Sequence, residues 1–131
     1  MNTEPLHILL ADDDEGDRLL FTEAFSELEI KTLVNTFNNG IQLMEWLHMK
    51  DINLPHFIFL DLNMPRKGGL ACLKEIRSNE RLKDISVVIY STSDNENDKE
   101  EAFRHGASAY LAKPNNFAKL KQILEKAVMK E

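Results

Sequence analysis

The sequence lacks the features of a secreted or membrane protein. Its 131 residues include one cysteine, Cys72, which excludes an internal disulfide and is typical of a reducing compartment. Its apolar runs are far shorter than the roughly 20 residues that a membrane helix needs. The segment from Met1 to Pro5 carries neither a basic region nor an apolar stretch, so we predict no signal peptide. We expect a cytoplasmic protein.

Acidic residues outnumber basic ones, 22 to 16. The formal net charge is -6, and no basic cluster with interleaved aromatic residues is present, which argues against direct binding to nucleic acid. A hydrophobic share of 43% and a charged share of 29% are typical of a globular protein that builds its own core. The length suits one domain over residues 1–131, so we expect no separate output domain.

Short apolar runs alternate with segments of helical periodicity. The predicted strands span residues 6–11, 33–37, 57–60, 87–90 and 109–112. The predicted helices cover about 15–28 and 40–49, a segment around 70–76, a weaker segment over 95–105, and one from 117 to 128. Gly106 is expected to cap the weaker helix. Five β-then-α units predict a doubly wound α/β fold, with a five-stranded parallel sheet and helices on both faces.

Acidic residues follow two of the predicted strands. Asp12, Asp13 and Asp14 come after the first strand, and Asp61 after the third. Ligands of open α/β sheets bind at the carboxyl ends of the strands. Carboxylates crowded there repel one another unless a cation joins them, and Mg²⁺ prefers oxygen ligands. The pattern predicts a magnesium site, although each acid taken alone could be a helix cap or a turn residue.

Further polar residues accompany the last two strands. Lys113 could contact a phosphoryl group, although taken alone it would be read as a solvated loop lysine, and Pro114 could aim it inward through a cis bond. Ser91 carries a hydroxyl that could reach a phosphoryl oxygen. Tyr110 could be a core residue or half-exposed. With Mg²⁺ present, an oxygen of Asp61 is a feasible nucleophile toward phosphorus.

Four stretches together resemble the receiver domain of two-component response regulators, the CheY-like family. They are ILLADD at 8–13, LDLNMPRKGG at 60–69, VVIYSTS at 87–93 and GASAYLAKP at 106–114, in the family's order and at its separations. The resemblance covers essentially the whole chain. It implies a flavodoxin-like (βα)5 fold and a signalling domain that accepts a phosphoryl group from a histidine kinase and assists its own phosphorylation and dephosphorylation.

The resemblance also implies a role for each site residue. The implied magnesium ligands are Asp61, Asp13, Asp12 (partly through water) and the backbone carbonyl of Asn63. The other implied roles are phosphoacceptor for Asp61, switch hydroxyl for Ser91, switch aromatic for Tyr110 and phosphoryl-binding lysine for Lys113. Two positions depart from the common pattern, since Ser91 stands where threonine is commoner and Gly68 where the loop often carries an acid.

Phosphorylation would act as a switch. The added charge of about -1.5 to -2 gives Ser91 and Lys113 a new partner, and Tyr110 could then rotate and reshape the surface of the fourth helix, fifth strand and fifth helix. We expect partners to be a sensor histidine kinase or phosphotransfer protein and a downstream protein target, with no membrane. A homodimer through the same surface is a further expectation, suggested by the acidic segment 94–101 and the lysines of the last helix region.

Three other functions fit the sequence less well. A phosphorylation-independent pseudo-receiver would lack an acid, the hydroxyl or the lysine, and all are present. A small Mg²⁺-dependent phosphatase acting through Asp61 needs a second acid or base, and Asn63 stands where one would be wanted. A flavin-binding domain needs a phosphate-cradling loop after the first strand, whereas that loop is acidic here.

Overall fold

A computed structural model of the chain describes residues 4–129. The elements in chain order are β1 (Leu6–Ala11), α1 (Glu15–Ser26), β2 (Thr32–Phe37), α2 (Gly40–Leu47), β3 (Phe57–Leu60), α3 (Gly69–Arg77), β4 (Ser86–Ser91), α4 (Glu96–Arg104), β5 (Ala109–Ala112) and α5 (Phe117–Met129). The strands form one parallel sheet in the order β2-β1-β3-β4-β5. The predicted doubly wound fold is confirmed.

The core lies on both faces of the sheet because neighbouring strand residues point in opposite directions. Leu9, Ile58 and Leu60 pack with the buried faces of α2 and α3 on one side. Ile8 and Phe59 pack with those of α1 and α5 on the other. The central strands are therefore buried on both sides, which is why they read as continuous apolar runs in the sequence.

Several element boundaries differ from the sequence prediction. Helix α1 ends at Ser26, so Leu28 lies beyond it, and α2 ends at Leu47 rather than near 49. Strand β4 begins at Ser86 and includes Ser91 as its last residue. Tertiary packing and strand pairing set these ends, and the apolar periodicity does not register them.

Helix α4, the weakest helix in the sequence, is fully formed over nine residues. The Asn95 side chain accepts a bond from Asp98 N at its start. At its end, Gly106 N–H donates to the Phe103 carbonyl and Ala107 N–H to the Ala102 carbonyl. Gly106 has φ +102°, so the helix closes in a Schellman motif at the predicted glycine. Caps at both ends offset its narrow apolar face.

No helix among residues 4–129 is long and apolar enough to cross a membrane. The first three residues of the segment assessed for a signal peptide lie outside the described part of the chain.

Candidate functional site

Backbone hydrogen bonds extend the parallel sheet just past the ends of its strands. Asp61 N–H donates to the Ala11 carbonyl at 3.1 Å, and Asp12 N–H donates to the Phe37 carbonyl at 3.0 Å. Lys113 N–H donates to the Ser91 carbonyl at 2.9 Å. The residues that follow β1, β3 and β5 are thus fixed at one edge of the sheet, which is where the sequence predicts a ligand.

Three carboxylates converge at that edge. Asp12, Asp13 and Asp61 each offer an oxygen, and these oxygens all lie within 4.8 Å of one another. Asp12 and Asp61 are buried and Asp13 is exposed. Burial raises the pKa of Asp12, although hydrogen bonds from Lys113 and the Asp14 backbone partly oppose the shift. Hard oxygen donors in a partly open cluster fit Mg²⁺ in kind and number, since this ion usually keeps several waters.

Asp14, the third acid of the run, has a different place. Its side chain accepts a bond from Asp17 N at 2.8 Å and caps α1. The positive end of the helix and its unpaired N–H groups favour a carboxylate there. Of the three acids in the run, Asp12 and Asp13 therefore lie in the cluster and Asp14 lies at the cap.

Lys113 points into the cluster. Its Nζ donates to Asp12 Oδ2 at 2.7 Å, to Asp17 Oδ2 at 2.8 Å and to Asp61 Oδ2 at 3.2 Å. Its side chain is only 8% exposed. Burial lowers the pKa of Lys113, but the hydrogen bonds to Asp12 and Asp17 outweigh it and hold the pKa well above its usual range. The ammonium is therefore charged at any physiological pH.

The cis bond considered for Pro114 is wrong, because residues 4–129 contain no cis peptide bond. Carboxylates draw Lys113 inward, and the ring of Tyr90 lies beneath it at 5.3 Å from Nζ. Burial raises the pKa of Tyr90 to about 12 despite this neighbouring cation. The lysine therefore needs no special backbone to reach the site.

The sequence reasoning missed Asp17 and Arg18. Asp17 is in the first turn of α1, and Arg18 donates from Nη1 to the Asp12 carbonyl at 2.7 Å. Nothing in the local pattern distinguishes Asp17 from its acidic neighbour Glu15. The only available signal is that a helix starting at a strand end turns some of its first residues toward that end.

The loop after β3 fits closely around Asp61. Asn63 N–H donates to Asp61 Oδ1 at 3.3 Å. A Cβ on Gly69 would lie 2.4 Å from the Asp61 carbonyl oxygen, and one on Gly68 would lie 2.7 Å from the Leu62 carbonyl oxygen. Gly68 is the N-cap of α3 and provides no side-chain bond there. Close approach of the backbone therefore explains both glycines, Gly68 and Gly69.

The two predicted switch residues both contact Ser93. Ser91 is fully buried at the end of β4, and its Oγ accepts a bond from Ser93 N at 3.2 Å. In the described part of the chain no hydrogen bond joins Ser91 to Asp61. Tyr110 is half-buried on β5, and its hydroxyl donates to the Ser93 carbonyl at 2.8 Å. Both residues therefore meet at Ser93 in the loop after β4.

Comparison with known proteins assigns the family. The sequence profile of the response regulator receiver domain matches residues 8–125. The chain is a response regulator receiver domain. It is 32% identical to the response regulator Rcp1 of Synechocystis sp. over 125 residues, covering 92% of this chain and 85% of that protein. The predicted membership of the CheY-like family is confirmed.

Solved structures agree with this assignment of the receiver domain. The phosphorylated cyanobacterial phytochrome response regulator RcpA matches with a TM-score of 0.88 and 32% identity, over 97% of this chain and 96% of that one. The Mn²⁺-bound form of Rcp1 matches with a TM-score of 0.86 and 31% identity, over 96% of each chain. Receiver domains are signalling domains of two-component systems, not classical enzymes, and they interact with histidine kinases and downstream targets.

Proposed function

We propose that this receiver domain accepts a phosphoryl group on Asp61 from a histidine kinase or phosphotransfer protein, with Mg²⁺, and works in the cytoplasm. The observation that carries the proposal is the convergence of Asp12, Asp13 and Asp61 around an inward-pointing Lys113. The match to a phosphorylated relative and to a Mn²⁺-bound one supports it. The free, buried thiol of Cys72 suits a reducing compartment.

Each residue has a chemical task in this proposal. Asp12, Asp13, Asp61 and the backbone carbonyl of Asn63 would hold the ion, which supplies positive charge against the transferring group. An Asp61 oxygen would form the new bond to phosphorus while the phosphorus–nitrogen bond of the donor phosphohistidine breaks, and the leaving imidazole takes its electron pair and then a proton from water. Lys113 would donate to a phosphoryl oxygen.

The response would pass through Ser91 and Tyr110. A phosphoryl oxygen offers the Ser91 hydroxyl a partner that only the modified state provides. Ser93 N–H donates to that hydroxyl, and the Ser93 carbonyl accepts from Tyr110. A shift of Ser91 would therefore move Ser93 and, through it, Tyr110 on β5. The domain then changes its surface rather than releasing a product, which is the behaviour of a signalling switch and not of a phosphatase.

The surface that would change includes α4, β5 and α5. A groove of about 690 Å³ borders Tyr110 and Leu111 there, and Phe103 beside it is 50% exposed. We propose this surface as the docking site for a downstream protein or for a second copy of the chain. Of the lysines that suggested a dimer, Lys113 is buried in the acid site and Lys130 lies outside the described residues.

Intact mass spectrometry tests the proposal directly. Incubation with a small acyl phosphate and Mg²⁺ should add roughly 80 Da, the mass of one phosphoryl unit, to the wild type. Asp61→Asn should abolish the adduct, whereas Asp51→Asn, at an exposed turn, should leave it unchanged. An adduct that persists in Asp61→Asn, or none in the wild type, would refute Asp61 as phosphoacceptor. If a partner binds equally well with and without the phosphoryl group on Asp61, the proposed switch is refuted.

A further inference from the structure

Lys113 has no spare hydrogen-bond donor. An ammonium group has three N–H donors, and the three carboxylate oxygens of Asp12, Asp17 and Asp61 lie 2.7, 2.8 and 3.2 Å from Nζ. A phosphoryl oxygen can therefore bind Lys113 only if one of these three partners withdraws. Which partner withdraws depends on what else each one binds and on its access to water.

Of the two partner carboxylates that phosphorylation does not modify, Asp17 is the one that can leave. Its side chain is 33% exposed, whereas those of Asp12 and Asp61 are 0% and 9% exposed. A carboxylate released toward solvent regains its hydration, and one released into a buried site does not. Asp17 is also absent from the group of acids that could share a cation, so a bound metal would not retain it.

The negative charge of Asp17 also favours its withdrawal from Lys113 when Asp61 is phosphorylated. Asp12, Asp17 and Asp61 contact one ammonium group and Asp13 lies beside Asp12 and Asp61, so the site is rich in negative charge before phosphorylation. A phosphoryl group on Asp61 carries about -1.5 to -2 charge at neutral pH, in place of the single negative charge of the free carboxylate. Each further carboxylate within a few ångströms opposes it, and only those that hold the metal have a compensating role.

We propose that Asp17 competes with the phosphoryl group for Lys113, holding the ammonium in the unmodified domain and setting how readily Asp61 is phosphorylated. This rests on the proposed function of the same site. Asp17 is then a positioning residue that touches the lysine and neither the metal nor the phosphorus. Its removal frees Lys113 and should favour the modified state.

Beryllofluoride, whose beryllium becomes tetrahedral on binding a carboxylate oxygen and so mimics the phosphoryl group, provides the test. Its affinity is measured by calorimetry at saturating Mg²⁺ for the wild type, Asp17→Asn and Asp17→Ala. Both variants should bind it at least about threefold more tightly. Removing a unit negative charge a few ångströms from the bound anion changes the affinity by at least that factor even at the dielectric constant of water. Glu15→Gln, which removes an exposed charge from the same helical turn, should bind like the wild type.

A second readout separates competition from a structural role. With a small acyl phosphate and Mg²⁺, both Asp17 variants should reach half-maximal phosphorylation at a donor concentration at least about threefold lower than Glu15→Gln. Unchanged or weaker beryllofluoride binding in both variants would overturn the proposal, because a residue that merely supports the fold weakens binding when removed. Failure of the wild type to gain the phosphoryl mass would instead overturn the proposed function.

Discussion

Lys113 and Asp12 form a buried ion pair, with 2.7 Å between Nζ and Oδ2, although 101 residues separate them in the chain. The Asp12 side chain is fully buried and that of Lys113 is 8% exposed. Removing one partner of such a pair is strongly destabilising, because the other is left charged in a poorly hydrated place.

Lys113→Met should therefore destabilise the metal-free domain by about 3 kcal/mol or more, leaving Asp12 and Asp61 without a cation. Urea unfolding without Mg²⁺ measures this. Lys74→Met, at an exposed position on α3, should change stability by no more than about 0.5 kcal/mol. Equal stability of the wild type and Lys113→Met would show that the pair has no net effect. Added Mg²⁺ should stabilise Lys113→Met more than the wild type.

Asp12 should give the stability an unusual pH dependence. Burial raises its folded pKa above the ordinary 3.8, so its favourable contribution is present below that pH and is lost as the pH rises through the folded value. Without Mg²⁺, the stability of the wild type relative to Asp12→Asn should fall as the pH rises from about 3.5 to about 7. Lys113, with its raised pKa, stays charged throughout this range.

Parallel urea titrations of the two proteins across that range measure the relative stability. A relative stability that increases with pH in metal-free buffer would contradict the raised pKa of Asp12. Saturating Mg²⁺ should reverse the slope, since a bound cation favours the ionised carboxylate.

Gly69→Ala should be strongly destabilising. The new Cβ would lie 2.4 Å from the Asp61 carbonyl oxygen and 3.1 Å from the Leu62 Cα, and backbone atoms cannot rotate away. We expect a loss of about 2 kcal/mol or more in thermal or urea unfolding, as for an overpacked core. Gly16→Ala meets only the Asp14 side chain, at 3.2 Å, and should stay within about 1 kcal/mol of the wild type. Similar losses in both variants would refute the steric explanation.

The thiol of Cys72 should be nearly inert in the folded domain. It is fully buried, and burial raises its pKa to about 11. Even if the reagent had free access, the thiolate fraction at pH 8 would be about a hundredfold lower than in the unfolded chain. Reaction with a chromogenic disulfide should be slow in buffer and fast in urea. Rapid reaction in buffer would show that α3 opens locally.

Much of the fold could be predicted from the sequence. The β-then-α alternation and the glycine after α4 both express local rules, so the element order was correct throughout. The boundaries were less accurate: Leu28 continues the apolar period of α1 but lies beyond its end, because a side chain in the following turn can pack on the same core.

The hydrophobic pattern of the sequence shows which runs are buried strands and which residues come directly after each run. That was enough to place Asp12, Asp13, Asp61 and Lys113 at strand ends. The contact of Asp17 with Lys113 emerged only once the chain was folded. The reason is geometric: a contact across 96 residues depends on how α1 is oriented against β5, and no local pattern contains that orientation.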